Sequence, residues 1–273
     1  MTISSETETR YADLLATLRD YGRVVVAYSG GVDSTLVVRA AVDALGEDNV
    51  IAATGVSASL APRERELAEK TLASIGLQGC LHFLETNEQD NPDYQANHPD
   101  RCFHCKTELY SHLIELATRG DFTTIANGAN TDDLGDFRPG MDAARDFAVR
   151  SPLVEAGFDK AEVRRTARAL GLPNWDKPAA PCLASRVPHG DQVNPEKLSQ
   201  IARAEAYLQD LGLAGFRVRH HGDVARIELS QGAWSFFEDE TRRRDVERAL
   251  QEYGFRFVAL DLGGYEQGKA VIR

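Results

Sequence analysis

Val24-Val25-Val26-Ala27-Tyr28-Ser29-Gly30-Gly31-Val32-Asp33-Ser34-Thr35 is the stretch that decides the fold. The run 24–28 is apolar and reads as a buried strand. The segment 35–45 has helical apolar spacing. The order is therefore strand, glycine turn, helix. That order aims backbone N–H groups and the positive end of a helix dipole at one point, which suits an anion. Adjacent glycines let the turn adopt positive φ and let a phosphate come close. Ser29, Ser34 and Thr35 add hydroxyl donors. The common nucleotide loop G-x-x-x-x-G-K-[ST] carries a lysine for the β- and γ-phosphates, and no lysine stands at this turn. The loop therefore reads as one that holds leaving pyrophosphate.

Working outward, strands and helices alternate. Helices are expected at 11–21, 35–45, 62–75, 105–117 and 160–170. Strands are expected at 24–28, 50–56, 81–84 and 122–126. This alternation predicts an α/β fold, a doubly wound parallel sheet with helices on both faces. Ligands of such sheets bind beyond the carboxyl ends of the strands. A proline-rich stretch without periodicity follows. Beyond it the pattern predicts helices at 195–211 and 238–252, a hairpin of strands 216–220 and 224–229, and a last strand at 255–260. The expected organisation is an α/β domain over 1–170 that carries the glycine turn, a loop over 171–194 that carries Cys182, and a small α+β domain over 195–273.

The 273 residues include 31 Lys and Arg against 42 Asp and Glu, a formal net charge of −11. That balance argues against general nucleic-acid or membrane-surface binding. No apolar run approaches the length of a membrane span. The segment MTISSETETR lacks the apolar core of a signal peptide, so a cytoplasmic protein is expected. The cysteines are Cys80, Cys102, Cys105 and Cys182. In a reducing compartment, metal or catalytic use of these outweighs disulfides.

Three constellations carry chemistry. Asn127-Gly128-Ala129-Asn130-Thr131-Asp132-Asp133 sits at the end of the fourth strand. Its small residues permit close approach to a nucleotide. Asp132 or Asp133 could ligate a phosphate-bound Mg²⁺, although such residues also cap helices. Cys102-Phe103-His104-Cys105 is a C-x-x-C followed by Lys106. A zinc site would need Cys80, His98, His104 or His112 to complete it. A redox dithiol at a helix start is a second reading. An iron–sulfur cluster is a third, with Cys182 as the obvious further ligand. Arg217 and Arg219 alternate on one strand and so share a face. Two such guanidinium groups suit phosphate or carboxylate, with Glu205 and Glu228 as possible carboxylate neighbours. Gly268-Lys269 imitates a phosphate loop but lacks the following Ser or Thr, and reads as a tail.

Together the strings SGGVDST (29–35), RCFHCKTELY (101–110), NGANTDDLGDFRPG (127–140), SPLVEAG (151–157), PCLASRVPHG (181–190) and FRVRHHGDVARIEL (216–229) resemble a known family. SGGVDS resembles the PP-loop of the ATP pyrophosphatases, which include NAD synthetase, GMP synthetase and tRNA thiolation enzymes. The set as a whole resembles the LarE family, ATP-dependent sulfur transferases of nickel-pincer cofactor synthesis for lactate racemase.

The resemblance implies a substrate, pyridinium-3,5-biscarboxylic acid mononucleotide, and adenylation of its carboxylates with release of PPi. Sulfur then displaces AMP to leave thiocarboxylates. It implies ATP and Mg²⁺ at Ser29, Gly30, Gly31, Asp33, Ser34, Thr35, Asn127 and Asp132, with Asp33 and Ser34 nearest the chemistry. It implies a grip on the substrate phosphate by Arg217 and Arg219. Asp136, Arg138, Ser185 and Arg186 lie within the matching strings and join the candidates, as do Glu205 and Glu228. One branch of the family sacrifices the cysteine matching Cys182 and leaves dehydroalanine. Another holds a 4Fe–4S cluster on three cysteines, which here would be Cys102, Cys105 and Cys182. The C-x-x-C favours the cluster branch. The resemblance further implies a homo-oligomer, with hexamers known, and a downstream nickel-insertion partner. A tRNA-thiolating enzyme is the rival reading, and the acidic balance weighs against it.

Overall fold

The structure, a computed structural model, describes residues 5–135 and 139–265. Asp136, Arg138 and the Gly268-Lys269 pair lie outside the described residues. In chain order the elements are α1 (Ser5–Arg19), β1 (Val24–Ala27), α2 (Val32–Leu45), β2 (Val50–Val56), α3 (Pro62–Ser74), β3 (Leu81–Glu85), α4 (Pro92–Gln95), α5 (Arg101–Arg119), β4 (Thr124–Ala126), α6 (Pro139–Asp146), α7 (Pro152–Glu155), α8 (Lys160–Ala169), α9 (Pro195–Asp210), β5 (Phe216–His221), β6 (Val224–Leu229), α10 (Glu240–Glu252) and β7 (Phe257–Leu260). Short 3₁₀ turns join several of them.

Two compact units result. One comprises Met1–Ser57, Glu64–Glu88 and Cys102–Ala180, and the other Ala58–Arg63, Gln89–Arg101 and Pro181–Arg273. The second unit thus recruits two short segments that the sequence assigns to the first domain. The reason is hydrogen bonding within that unit. Leu183 N–H donates to the Ser59 carbonyl (2.9 Å), and Val193 N–H donates to the Gln95 carbonyl (2.9 Å).

The first unit holds an all-parallel sheet of order β3-β2-β1-β4. Val24 pairs with Val50 on one side and with Thr124 on the other. Every residue of β1 is buried. The alternation along it sorts the two faces. Val24 and Val26 pack with Leu14 and Leu18 of α1, Leu36 and Val37 of α2, and Val163 and Ala167 of α8. Val25 and Ala27 pack with Tyr110 and Leu113 of α5 and with Ala143 and Ala144 of α6. A strand covered on both faces needs an unbroken apolar run, which is what Val24–Ala27 supplies. This is the doubly wound α/β fold. The chain order reverses direction at β1, between β2 and β4, so the loops after β1 and β4 face one crevice at the strands' carboxyl ends.

The second unit is α+β. Its sheet has the order β5-β6-β7, with β5 antiparallel to β6 and β6 parallel to β7. Gly222 (φ 58°) and Asp223 form the two-residue turn between His221 and Val224. Such a turn requires positive φ, and glycine supplies it. Val218, Ala225 and Ile227 meet Ala204 and Leu208 of α9 and Val246 and Leu250 of α10 in a separate core. Asn194 and Asp239 cap α9 and α10, accepting from Lys197 N–H (2.9 Å) and Arg242 N–H (2.7 Å). Among the described residues no helix is long and apolar enough to cross a membrane.

Leu36 is fully buried beneath the turn, whereas Leu134 is 62% exposed. Leu36→Ala is expected to cost about 2–5 kcal/mol in urea unfolding. Leu134→Ala should cost about 0.5 kcal/mol or less.

Candidate active site

Helix α2 starts at Val32, earlier than its apolar spacing predicts, with Gly31 as its N-cap. The Gly31 carbonyl explains the early start. It accepts from Thr35 N–H (3.0 Å), from Ser34 Oγ (3.1 Å) and from Thr35 Oγ1 (2.9 Å). Asp33 and Ser34 therefore stand in the first turn, where backbone N–H groups have no acceptor within the helix. Ser29 Oγ lies 3.2 Å from Ser34 Oγ, so the hydroxyls gather at the same end. Gly30 has φ 71°, and a Cβ there would stand 2.8 Å from Ala68 Cβ. Both observations restrict the position to glycine.

The loop after β4 closes on this turn. A Cβ on Gly128 would come 2.8 Å from Ser34 N, so only glycine permits the approach. Asn127 Oδ1 accepts from Ala129 N–H (3.0 Å) and from Ser151 Oγ (2.9 Å). Asn130 Nδ2 donates to Asp33 Oδ1 (3.0 Å). Asp132 Oδ2 accepts from Lys160 N–H (3.1 Å), and Asp133 Oδ2 from Asn130 N–H (3.0 Å). These aspartates brace the loop as well as lending it charge.

Sequence reading missed two lysines. Lys160, the first residue of α8, forms an ion pair with Asp33. Lys177 Nζ donates to the Gly30 carbonyl (3.1 Å) and pairs with Glu64 (2.7 Å). Asn174 joins it, donating to the Gly30 carbonyl (3.2 Å) and to Thr35 Oγ1 (2.9 Å). The glycine turn lacks a lysine of its own, and the fold brings two from positions over a hundred residues away. Only the three-dimensional packing of α8 and the segment after it could disclose them.

In the second unit Cys182 is exposed and precedes a 3₁₀ turn, Leu183–Arg186. Arg186 is buried and pairs with Glu205 through Nε and Nη2, both at 3.0 Å. Its Nη1 donates to the Pro181 (2.7 Å) and Cys182 (3.1 Å) carbonyls. Arg219 pairs with Glu228 (2.8 Å) and donates to the Ser185 carbonyl (2.8 Å). Arg226 pairs with the same Glu228 (2.8 Å) and with Asp261 (3.3 Å). Arg217 lies across from Glu228 in the hairpin register and stands over the Tyr265 ring at 4.8 Å. Burial and the neighbouring Arg186 hold its pKa below the usual guanidinium value. Arg217 and Arg219 occupy one strand face with different partners. Arg219 is bound into the carboxylate network, and Arg217 stacks beside it. The result is a nest of four guanidinium groups with fewer carboxylates, a positive site in an acidic chain.

The family model described as NAD synthase matches residues 13–80, the segment that holds β1 and the glycine turn. The chain is 39% identical to the pyridinium-3,5-bisthiocarboxylic acid mononucleotide synthase of Lactiplantibacillus plantarum, over 96% of this chain and 93% of that one. It belongs to the LarE family. An uncharacterized protein of Synechocystis sp. is 44% identical over 96% of this chain and 97% of its own. An uncharacterized protein of Methanocaldococcus jannaschii is 22% identical over 89% and 90%. As a LarE-family member with a PP-loop, the chain is an ATP-dependent sulfurtransferase.

Within that family frame the cysteines divide cleanly. Cys102 and Cys105 lie one turn apart on α5, the first exposed and the second half-buried, so their thiols share a helix face. Cys80 is buried, and its thiol is pushed up to about 11 by burial and then by Glu47. It is a core residue. Among the described residues no three His, Cys, Asp or Glu side chains gather as a metal site. His220 is buried, with Nε2 2.8 Å from Gln200 Oε1 and its ring 5.2 Å from that of Phe255. Burial, and then Lys197, depress its pKa below the usual imidazole value. Burial and Arg226 depress that of His221.

A depressed imidazole pKa favours the neutral ring in the folded state. The stability it contributes is complete above the unfolded value, about 6.5, and is lost as pH falls below it. The urea midpoint is therefore expected to drop between pH 7.5 and pH 5, about the window that brackets that value. The drop should shrink in a His220→Gln, His221→Gln double variant. An equal drop in both proteins would refute the assignment.

Proposed function

We propose that this chain uses ATP to activate the carboxylates of pyridinium-3,5-biscarboxylic acid mononucleotide and converts them to thiocarboxylates. The observation that carries this reading is the 39% identity, along nearly the whole chain, to a synthase whose name states the bisthiocarboxylate product. The local chemistry supports it. A carboxylate oxygen attacks the α-phosphorus of ATP, and pyrophosphate leaves with the bonding electron pair. A sulfur nucleophile then attacks the acyl carbon, and AMP departs. Pyrophosphate would rest on the N–H groups of the first α2 turn, with Ser29, Gly30, Gly31, Ser34 and Thr35 around it. Asp33 already faces a cation, the Lys160 ammonium, so its surroundings suit a Mg²⁺ shared with phosphate oxygens. Lys160 would then be released to the leaving pyrophosphate. Asn127 and Asp132 shape the wall opposite. Arg217 and Arg219, backed by Glu228, would receive the substrate phosphate. Ser185, Arg186 and Glu205 fix the loop of Cys182.

The sulfur source follows from the cysteines. Three partly or fully exposed thiols are a donor set suited to iron. Cys102, Cys105 and Cys182 would hold a 4Fe–4S cluster, which when bound would supply the transferred sulfur as an extra sulfide beyond its own four. The exposure of Cys182 also supports a second reading, in which its own sulfur is given up and dehydroalanine remains. The proposal extends to a cytoplasmic homo-oligomer, with a hexamer as one form, whose product passes to a nickel-inserting enzyme. It assigns ATP chemistry to 1–170 and substrate binding and assembly to 195–273, joined by the loop 171–194 that presents Cys182.

The test is pyrophosphate release by anaerobically purified protein given ATP with the pyridinium nucleotide, with tRNA, or with neither. Release with the pyridinium nucleotide alone is expected, and release with tRNA alone would overturn the reading. Iron and sulfide bound to that preparation, with Cys182 intact after turnover, support the cluster. Their absence, with Cys182 lacking the elements of H₂S, supports the sacrificial route. Lys160→Ala is expected to slow pyrophosphate release on the order of a hundredfold, the usual weight of one preorganised donor.

A further inference from the structure

Outside the sites described above, Asn97 is bonded through both ends of its side-chain amide. It is fully buried and has φ 55°, a left-handed conformation that asparagine tolerates better than most residues. Its Nδ2 faces three carbonyl oxygens, those of Val187 (3.3 Å), Pro188 (2.7 Å) and Asp191 (3.0 Å). The amide has two hydrogens, so at least one is shared. Its Oδ1 accepts from Arg101 Nη1. The reverse amide orientation would set an oxygen against three oxygens, so the network itself fixes the assignment. The Asn97 carbonyl accepts from Gly190 N–H (3.1 Å) and faces His189 Nδ1 (3.2 Å). Arg101, also buried, donates from the same Nη1 to the Ala184 carbonyl (2.9 Å).

Apart from the Arg101–Asn97 bond, these contacts all reach one segment, 184–191, which begins two residues after Cys182. On its other side the segment is held at Leu183 by the Ser59 carbonyl, and the Ser59 hydroxyl in turn meets the Tyr94 hydroxyl. Loops seldom receive this much buried side-chain hydrogen bonding, because burying polar groups is costly unless each is satisfied. An ordinary connection of this length would lie on the surface with its backbone in water. Here the backbone is pinned, yet the thiol of Cys182 stays exposed.

We infer that Asn97, together with Arg101, is a positioning residue that holds the Cys182 loop in the shape needed for sulfur delivery. Neither side chain is placed to touch nucleotide or sulfur in the reading above. They act through the backbone of 184–191. The inference rests on the proposed function for its link to sulfur, and on the hydrogen bonds alone for its link to the loop.

Asn97→Gly removes the amide and keeps the positive φ, since glycine adopts it freely. Two readouts separate the two links. The first is thiocarboxylate formed per pyrophosphate released, with ATP and the pyridinium nucleotide saturating and the protein purified anaerobically. Because the ratio is normalised to active protein, a general loss of folded enzyme does not move it. It is expected to fall about tenfold in Asn97→Gly, the weight of one or two lost buried hydrogen bonds. The second is amide hydrogen exchange of Leu183 and Gly190 in the resting protein, expected to accelerate by a similar factor. Arg101→Lys keeps the charge with fewer fixed donors, should give intermediate values of both, and carries the test if Asn97→Gly does not fold. A wild-type ratio in the variants overturns the role in sulfur delivery, and unchanged exchange overturns the clamp. Wild-type protein that makes no thiocarboxylate defeats the functional reading, while the exchange measurement still decides the clamp.

Discussion

Parallel hydrogen bonding of β1 on both of its edges is the constraint from which the nucleotide site descends. A strand paired with β2 on one side and β4 on the other must be apolar on both faces. The same arrangement makes β1 the point where the chain order reverses, and so puts the loops of β1 and β4 at one crevice. Once that is set, each glycine has a single purpose. Gly30 relieves contact with Ala68, and Gly128 lets the second loop reach the helix start. The helix dipole and the unpaired N–H groups are then aimed by the sheet rather than by any one side chain.

A different device operates in the second unit. Buried ion pairs contribute little net stability, because desolvation offsets much of the attraction. Arg186 with Glu205, and Arg219 with Glu228, are nonetheless both largely buried. Their value is geometric. Glu205 also accepts from the Val218 N–H (3.1 Å), so one carboxylate ties the hairpin backbone to the arginine that holds the Cys182 carbonyl. Removing either partner would leave a charge buried without compensation, at a cost of about 3–5 kcal/mol. The network therefore keeps the remaining guanidinium character in one place and in one orientation.

How much of this was legible in the sequence depends on the range of the interaction. β1, β2 and the β5–β6 hairpin could be read directly, because apolar runs and alternation are local properties. The start of α2 could not, since Gly31 extends the helix backward through bonds that no periodicity records. The glycine turn, the C-x-x-C and the arginine pair stood out as residue types at short spacing. Lys160, Lys177 and Asn174 did not, because each is an ordinary surface residue type until packing carries it to the turn. Asn97 was equally silent. Its left-handed backbone and its three carbonyl partners exist only after the chain has doubled back on itself.

The two-residue turn at Gly222-Asp223 has a consequence for how this chain can vary. Arg217 and Arg219 alternate with Phe216 and Val218, so register decides which set meets the core. Shifting one strand by a single position would drive guanidinium groups into the apolar layer and expose the residues that fill it. Substitutions around the turn are therefore far easier to accommodate than a one-residue insertion there. Length at this corner thus constrains the folded chain more tightly than the identity of most residues beside it.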